Sequence, residues 1–311
     1  MVSLFANEEL MIMEIVQFEL GDELKPVGDL ILCLGFFDGV HLGHQKLILS
    51  AKKEGYKLGI LSFSQSPAFV LGHKLVDSCL TSIADKADLF EEMGVDYFYV
   101  MDFNRISLNA TKDEFIQKVL LKINPYQIVC GPDYKFGVRA EGDVAYLKQF
   151  FNVKVKDFEN ISNLKISSRN IVAKIEEGEM EEVMEMLGRP YRVSGIVTEG
   201  LKNGQKIDFP TANLKLEYHY VYPKSGVYIG YANVYGQRYK AIINVGTHPT
   251  INPLREPLIE VHVIDFNGVL YGKIIMCDFI KYIRDEKKFD SMEDLKAQLT
   301  KDKQKAKKLL Q

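Results

Sequence analysis

An apolar run, Leu30 to Leu34, leads straight into Gly35-Phe36-Phe37-Asp38-Gly39-Val40-His41-Leu42-Gly43-His44, and the residues after it repeat their apolar side chains at helical spacing. Strand, glycine turn and helix in that order constrain the fold more than any other stretch. The unpaired N–H groups of a helix start, joined by the amides of the turn, make a site for phosphate. Gly35, Gly39 and Gly43 let backbone approach an anion without interference from Cβ, and Asp38 can pin the turn through backbone hydrogen bonds. His41 and His44, three apart, share a face of the first helical turn, where imidazoles can donate to phosphate oxygens. The turn is expected to hold a nucleotide, with Phe36 among its contacts.

From Leu30 to about Phe158, short apolar strands alternate with amphipathic helices. Strands are expected at Lys57 to Phe63, Tyr97 to Met101 and Gln127 to Cys130, with Met13 to Phe18 as a first strand. Helices open at Ser82 and Thr111, each followed three residues later by an acidic residue, Asp85 or Glu114, in the pattern of a capping box. Alternating βα units joined by short turns imply a Rossmann-like parallel sheet with helices on both faces. Ligands of such sheets bind beyond the carboxyl ends of the strands. The segments Gly35 to His44, Phe63 to Pro67 and Gly131 to Gly137 all fall there.

After Gly188 the pattern changes. Ser167 to Leu187 reads as one helix, and then come short strands at Tyr191 to Val197, Gly226 to Val234, Tyr239 to Val245, Leu258 to Asp265 and Lys273 to Phe279. Asn267-Gly268 reads as a hairpin turn. A small closed antiparallel barrel follows from so many short strands, with a C-terminal helix capped at Ser291 whose basic end, Lys301 to Gln311, reads as a solvated face. At 311 residues the chain has room for two domains, placed at 13–187 and 188–311.

The formal net charge of -3 argues against a nucleic-acid binder that works through bulk positive charge. No apolar run approaches membrane-spanning length and no signal-peptide pattern opens the chain, so a cytoplasmic protein without a membrane partner is expected. The four cysteines lack paired spacing and are expected as buried thiols.

The motif Gly-x-Phe-Asp-Gly-x-His-x-Gly-His resembles that of the nucleotidyltransferase superfamily. This resemblance implies direct attack on the α-phosphate of a nucleoside triphosphate, with His41 and His44 stabilising the charge that develops there. In the second half, Phe209-Pro210-Thr211-Ala212-Asn213 offers a hydroxyl and an amide carbonyl suited to Mg²⁺, although Pro-Thr-x-Asn by itself is as easily a turn. Gly188-Arg189-Pro190-Tyr191, Asn244 to Thr250, Ile259 to Phe266, Leu270-Tyr271-Gly272 and Ile283-Arg284 extend that pentapeptide into a resemblance to riboflavin kinases. Glu260 lies in a strand beside Val261, so its side chain faces the opposite way.

Taken together, the chain after Met13 resembles the bacterial family that joins a riboflavin kinase to an FMN adenylyltransferase. The resemblance implies that ATP phosphorylates riboflavin to FMN in the barrel, and that a second ATP adenylylates FMN to FAD in the first domain. It implies Glu260 as the base at the ribityl hydroxyl, and Gly204, Thr211 and Asn213 around Mg-ATP. It also implies Ser167 and Ser168 as nucleotide contacts and Phe63, Asp133, Phe136 and Arg284 as flavin contacts. The chain departs from the family pattern at Ser66, where histidine is usual, at Val172, where arginine is usual, and in the kinase loop at Gln205 and Asp208. Two other readings stay open at this level: a riboflavin kinase with an impaired adenylyltransferase, and a flavin- or nucleotide-binding regulator without turnover.

Overall fold

The computed structural model describes residues 12–74, 76–157, 166–199, 209–246 and 257–310. The chain forms two compact units, residues 1–77 with 82–163, and residues 78–81 with 164–311.

In the first unit, β1 (Glu14–Phe18), β2 (Leu30–Leu34), β3 (Lys57–Phe63), β4 (Tyr97–Met101), β5 (Gln127–Cys130) and, further on, β8 (Val153–Val155) build a six-stranded sheet, while β6 (Lys135–Phe136) and β7 (Gly142–Asp143) pair separately. The sheet order is β1-β4-β3-β2-β5-β8 and every neighbouring pair is parallel. A parallel sheet is buried on both faces, which is why its strands read as continuous apolar runs. Leu30, Leu32, Leu34, Tyr99 and Met101 pack on one face and Ile31, Cys33, Ile60, Phe98 and Val100 on the other. Helices Leu42–Leu49 and Ile83–Glu92 cover the second face through Leu47, Ile48, Ala87 and Phe90. The capping boxes expected at Ser82 with Asp85 and at Thr111 with Glu114 are both present. From β2 the chain steps to β3 and β4 on one side and then returns to place β5 on the other, so the sheet reverses between β2 and β5. The loops that follow these two strands are residues 35–44 and 131–137, and a reversal of this kind is where open α/β sheets bind ligands.

In the second unit the segment expected as one helix is two, Ser168–Glu177 and Met180–Leu187, separated at Gly178, whose φ of 87° ends the first. Six strands follow: β9 (Tyr191–Thr198), β10 (Ala212–Leu216), β11 (Gly226–Val234), β12 (Gln237–Gly246), β13 (Leu258–Val263) and β14 (Ile274–Arg284). They close as an antiparallel barrel in the order β10-β13-β12-β11-β14-β9. Val193, Leu214, Tyr228, Ile243, Val261 and Phe279 fill its interior together with Ile171, Ile175, Val183 and Met186 from the two preceding helices. The packing unit therefore begins upstream of residue 188, where the strand pattern starts.

Two sequence expectations change here. Asn267-Gly268 makes no hairpin: β13 and β14 are not barrel neighbours, and the positive φ values of their connection fall at Asp265 (58°) and Gly272 (70°). The tight turn is Tyr235-Gly236 between β11 and β12, with φ of 51° and 75°, the left-handed pair that matches strand twist. The basic end of the chain is also more than a solvated face, because Lys303 and Lys307 reach Asp265 at 3.2 and 2.6 Å. Cys33, Cys79, Cys130 and Cys277 are buried free thiols. Among the described residues no helix is long and apolar enough to cross a membrane.

The C-terminal helix, Met292–Leu309, lies on the outside of the barrel, where Ala306 and Leu310 meet Val227, Ile229, Ile242 and Ile264. Arg284 fastens it: its guanidinium donates to Asp302 at 2.7 and 3.1 Å, with the two side chains 14% and 4% exposed. Gln298 adds a hydrogen bond to Asp302 at 2.9 Å. Asp302→Ala strands the arginine, and breaking a buried pair on one side costs about 3–5 kcal/mol. The expected result is a lower urea midpoint for the barrel's transition; an unchanged midpoint would show that the pair does not fasten the helix.

Candidate active sites

The turn after β2 is strained. Phe37 has φ of 52°, Gly39 of 75° and Val40 of 41°, and left-handed backbone at a bulky or β-branched residue costs about 1–3 kcal/mol. Its surroundings hold it. Phe37 and Val40 are buried on one face of the sheet, and the Phe36 carbonyl accepts the Ser62 hydroxyl at 2.9 Å and the Lys86 ammonium at 2.8 Å. Gln45 donates to the Val40 carbonyl at 2.8 Å.

His41, 4% exposed, caps the helix that follows. Its Nδ1 accepts the backbone N–H of His44 at 3.3 Å, so the neutral ring carries its proton on Nε2. The rings of His41 and His44 stack with centroids 3.6 Å apart, and Phe37 meets His44 edge-on at 5.2 Å. Burial, reinforced by His41 and Lys86, pushes the His44 pKa well below its ordinary value of 6.5. The shift favours an uncharged His44 at neutral pH. Gly35, Phe36, Asp38, Gly39 and Gly43 are gathered in this one turn, as the sequence indicates.

A depressed pKa fixes the sign of a pH effect. The unfolded chain binds a proton at pH values where folded His44 does not, so stability is full above about 6.5 and falls as the pH drops below it. Burial lowers His262 in the barrel as well, so both units carry this dependence. The thermal midpoint is expected to fall between about pH 7 and pH 5, and to fall less steeply in His44→Gln; equal slopes would contradict a neutral His44.

On the other face of the same carboxyl edge lies a cavity of about 310 Å³, within the usual size of ligand pockets. Phe63 from the end of β3, Met101 from the end of β4, and Phe103, Phe115 and Phe136 line it, with Lys135 and Arg139 as its cations. Phe63 and Phe103 rings lie 4.8 Å apart, and Phe136 packs against Phe115 at 5.3 Å and Tyr134 at 6.0 Å. The structure thus brings together Phe63 and Phe136. Asp133 is exposed in the preceding turn and does not line the cavity. Leu20, Phe103 and Phe115 also line it and carry no motif in the sequence; only Phe103, two residues past the end of β4, has a position that suggests it. A Cβ at Gly142 would stand 2.6 Å from the Phe136 ring. Gly142→Ala is expected to displace that ring and raise the KM for a substrate held in this cavity about tenfold, or about 1.4 kcal/mol, read from steady-state kinetics; an unchanged KM would show that the Phe136 ring does not shape a substrate site.

In the barrel, Asn213 on β10 stands directly opposite Glu260 on β13, and Glu260 also faces Asn244 on β12. Ala212, Leu214, Ile259 and Val261 point into the core, so Asn213, Asn244 and Glu260 share the other side of the wall, with Asn213 itself buried, and Thr211 immediately precedes β10. His262, two residues beyond Glu260, has Nδ1 2.9 Å from the Pro210 carbonyl and its ring 5.0 Å from Phe209. It ties the Phe209-Pro210-Thr211 segment to β13. Gly204, Gln205 and Asp208 lie outside the described residues.

Other expected site residues have different local duties. Arg284 has its guanidinium on Asp302. Ser167 caps helix Ser168–Glu177, in the second unit, its hydroxyl accepting the Asn170 N–H at 3.3 Å, with Ser168 as the helix's first residue. Val172, in place of arginine, packs against the barrel cluster. Ser66, in place of histidine, caps the short helix Pro67–Val70 by accepting the Phe69 N–H at 3.3 Å.

Comparison with known proteins finds two family models in succession along the chain. The FAD synthetase family model matches residues 25–173 and the riboflavin kinase model matches residues 187–310. The bifunctional riboflavin kinase/FMN adenylyltransferase of Bacillus subtilis (strain 168) is 36% identical over 287 residues, covering 89% of this chain and 91% of its own. That of Escherichia coli (strain K12) is 31% identical over 283 residues, covering 88% and 90%. A solved structure described as a macrolide-efflux protein from Streptococcus pneumoniae matches with a TM-score of 0.84 at 29% identity, covering 94% of this chain and 99% of that one. With both segments matched in order, and relatives aligned along most of its length, the chain belongs to the family of bifunctional riboflavin kinase/FMN adenylyltransferases.

Proposed function

We propose that this enzyme's two reactions, riboflavin to FMN and FMN to FAD, divide between functional domains at 13–187 and 188–311, with the side chains that follow carrying each. In the barrel, the Glu260 carboxylate takes the proton from the terminal ribityl hydroxyl of riboflavin. That oxygen bonds to the γ-phosphorus of ATP while the bond to the β,γ-bridging oxygen breaks, and ADP leaves. Thr211 and Asn213, with Gly204, would hold Mg-ATP. Their oxygens, beside the Glu260 carboxylate, are the hard donors that Mg²⁺ prefers, and the bound ion supplies neutralisation of phosphate charge. In the first domain, ATP lies on the turn of residues 35–44 and the flavin ring enters the aromatic cavity at Phe63 and Phe136. An FMN phosphate oxygen bonds to the α-phosphorus, the bond to the α,β-bridging oxygen breaks, and pyrophosphate leaves. His41 and His44 donate to the oxygens on which charge grows.

The observation that carries this reading is the stacked imidazole pair, with His44 held neutral, at the same sheet edge as an aromatic cavity of ligand size. Cytoplasmic placement accords with riboflavin and ATP as substrates. Purified protein given riboflavin and Mg-ATP is expected to form FMN and then FAD, resolved by chromatography. Flavin returned unchanged would sink both assignments, and FMN accumulating without FAD would sink the first-domain one.

A further inference from the structure

Helix Ile83–Glu92 turns Ala87 and Phe90 toward the sheet, and Lys86 lies in the same buried stripe, only 2% exposed. Burying an ammonium is costly unless it is hydrogen-bonded and compensated. Its Nζ donates to the Phe36 carbonyl at 2.8 Å and stands 3.8 Å from the centre of the Phe36 ring. The same carbonyl accepts the Ser62 hydroxyl at 2.9 Å. This is the peptide that leads into Phe37, where the left-handed backbone begins. The lysine thus grips the strained turn at its root. Its charge also reaches the His44 ring, where it works in the same direction as burial.

We infer that Lys86 is a positioning residue for adenylyl transfer, clamping the Phe36 carbonyl so that the turn keeps its shape and adding positive charge behind the surface that meets the ATP phosphates. The inference rests on the assignment of that turn to ATP. Charge placed within a low-dielectric wall is felt more strongly than the same charge in water, so an ammonium need not touch the phosphates to favour them.

The two parts of the role separate in FAD formation from supplied FMN, which consumes ATP at the first domain alone. Lys86→Met removes both the charge and the hydrogen bond, whereas Lys86→Gln keeps a donor and removes the charge. In Lys86→Gln the KM for ATP is expected to rise at least about tenfold while the inhibition constant of uncharged adenosine moves less than about twofold, since loss of a phosphate-directed charge leaves adenosine contacts intact; Lys86→Met, which also releases the Phe36 carbonyl, is expected to raise the KM for ATP further. Ser62→Ala removes the second bond to the same carbonyl without touching charge, and should leave the ratio of the two constants unchanged. Far-UV circular dichroism and the thermal midpoint of each preparation report that the variant is folded; if Lys86→Met yields no folded chain, Lys86→Gln decides. An equal rise in both constants, no rise in either, or a Ser62→Ala variant that separates them overturns the inference. His44→Ala, measured alongside, isolates the cause: FAD formation lost there but unaffected at Lys86 overturns the lysine's role alone, whereas FAD formation retained in both overturns the site.

Discussion

Glu260→Gln is expected to lower riboflavin phosphorylation by about 10²–10⁴-fold, the usual contribution of a positioned general base. FAD formation from supplied FMN should stay within about twofold, because that reaction is assigned to side chains of the first unit and Glu260 belongs to the barrel. Glutamine keeps the shape and hydrogen-bonding reach of the side chain but cannot take the ribityl proton. The register of the barrel makes the test specific: Glu260 faces Asn213 on one side and Asn244 on the other, on the face of the wall opposite Ile259 and Val261. Loss of both activities together would mean that the change unfolds the chain or that the two sites are not separate. An undiminished kinase would remove Glu260 from the chemistry. Anion exchange with absorbance detection distinguishes riboflavin, FMN and FAD in one run, so both activities are read from each preparation.

The converse is expected of His44→Ala: FAD formation falls by about 10²–10³-fold, the cost typical of deleting one donor to a developing oxyanion, while FMN continues to be made and accumulates. His44 stacks on His41 and takes Phe37 edge-on, so alanine also loosens the turn. His44→Asn, which keeps a neutral amide donor, should recover part of the rate if the imidazole acts as an uncharged donor. Recovery by His44→Lys instead would show that the site needs a cation there, against the direction in which burial moves this histidine.

Much of this architecture was readable because the relevant signals are local. The strands Leu30–Leu34, Lys57–Phe63, Tyr97–Met101 and Gln127–Cys130 are apolar runs bounded by turn residues, and the helix starts carry their own caps. The histidine turn is contiguous in sequence, so its gathering required no tertiary knowledge. What escaped depends on contacts distant along the chain. β10 looks like a Pro-Thr turn until β9 and β13 flank it. Arg284 sits where a flavin contact was expected, but Asp302 eighteen residues later holds its guanidinium. Asp133 lies in the expected loop yet is exposed and does not line the cavity, which spacing alone does not encode. Lys86 left one legible trace, a cation four residues before Phe90 on an otherwise apolar stripe, but its partner carbonyl lies fifty residues upstream.

The closure of the barrel has a consequence for how the enzyme is made. β9 pairs with β14, Ser194 opposite Met276 and Val193 opposite Cys277, so the ring joins the beginning of the barrel's strand sequence to its end. A ribosome delivers β9 long before β14, and until β14 emerges the wall stays an open curl with an unpaired ladder. The parallel sheet is complete in sequence once β8 has appeared. Domains generally fold as units, N-terminal first, during synthesis. A nascent chain interrupted between the two stages therefore carries the strands for attaching AMP to FMN but no closed barrel with which to make FMN. The last-made strand and the helix fastened to it by Arg284 decide whether a newly synthesised molecule can begin the pathway from riboflavin or only finish it.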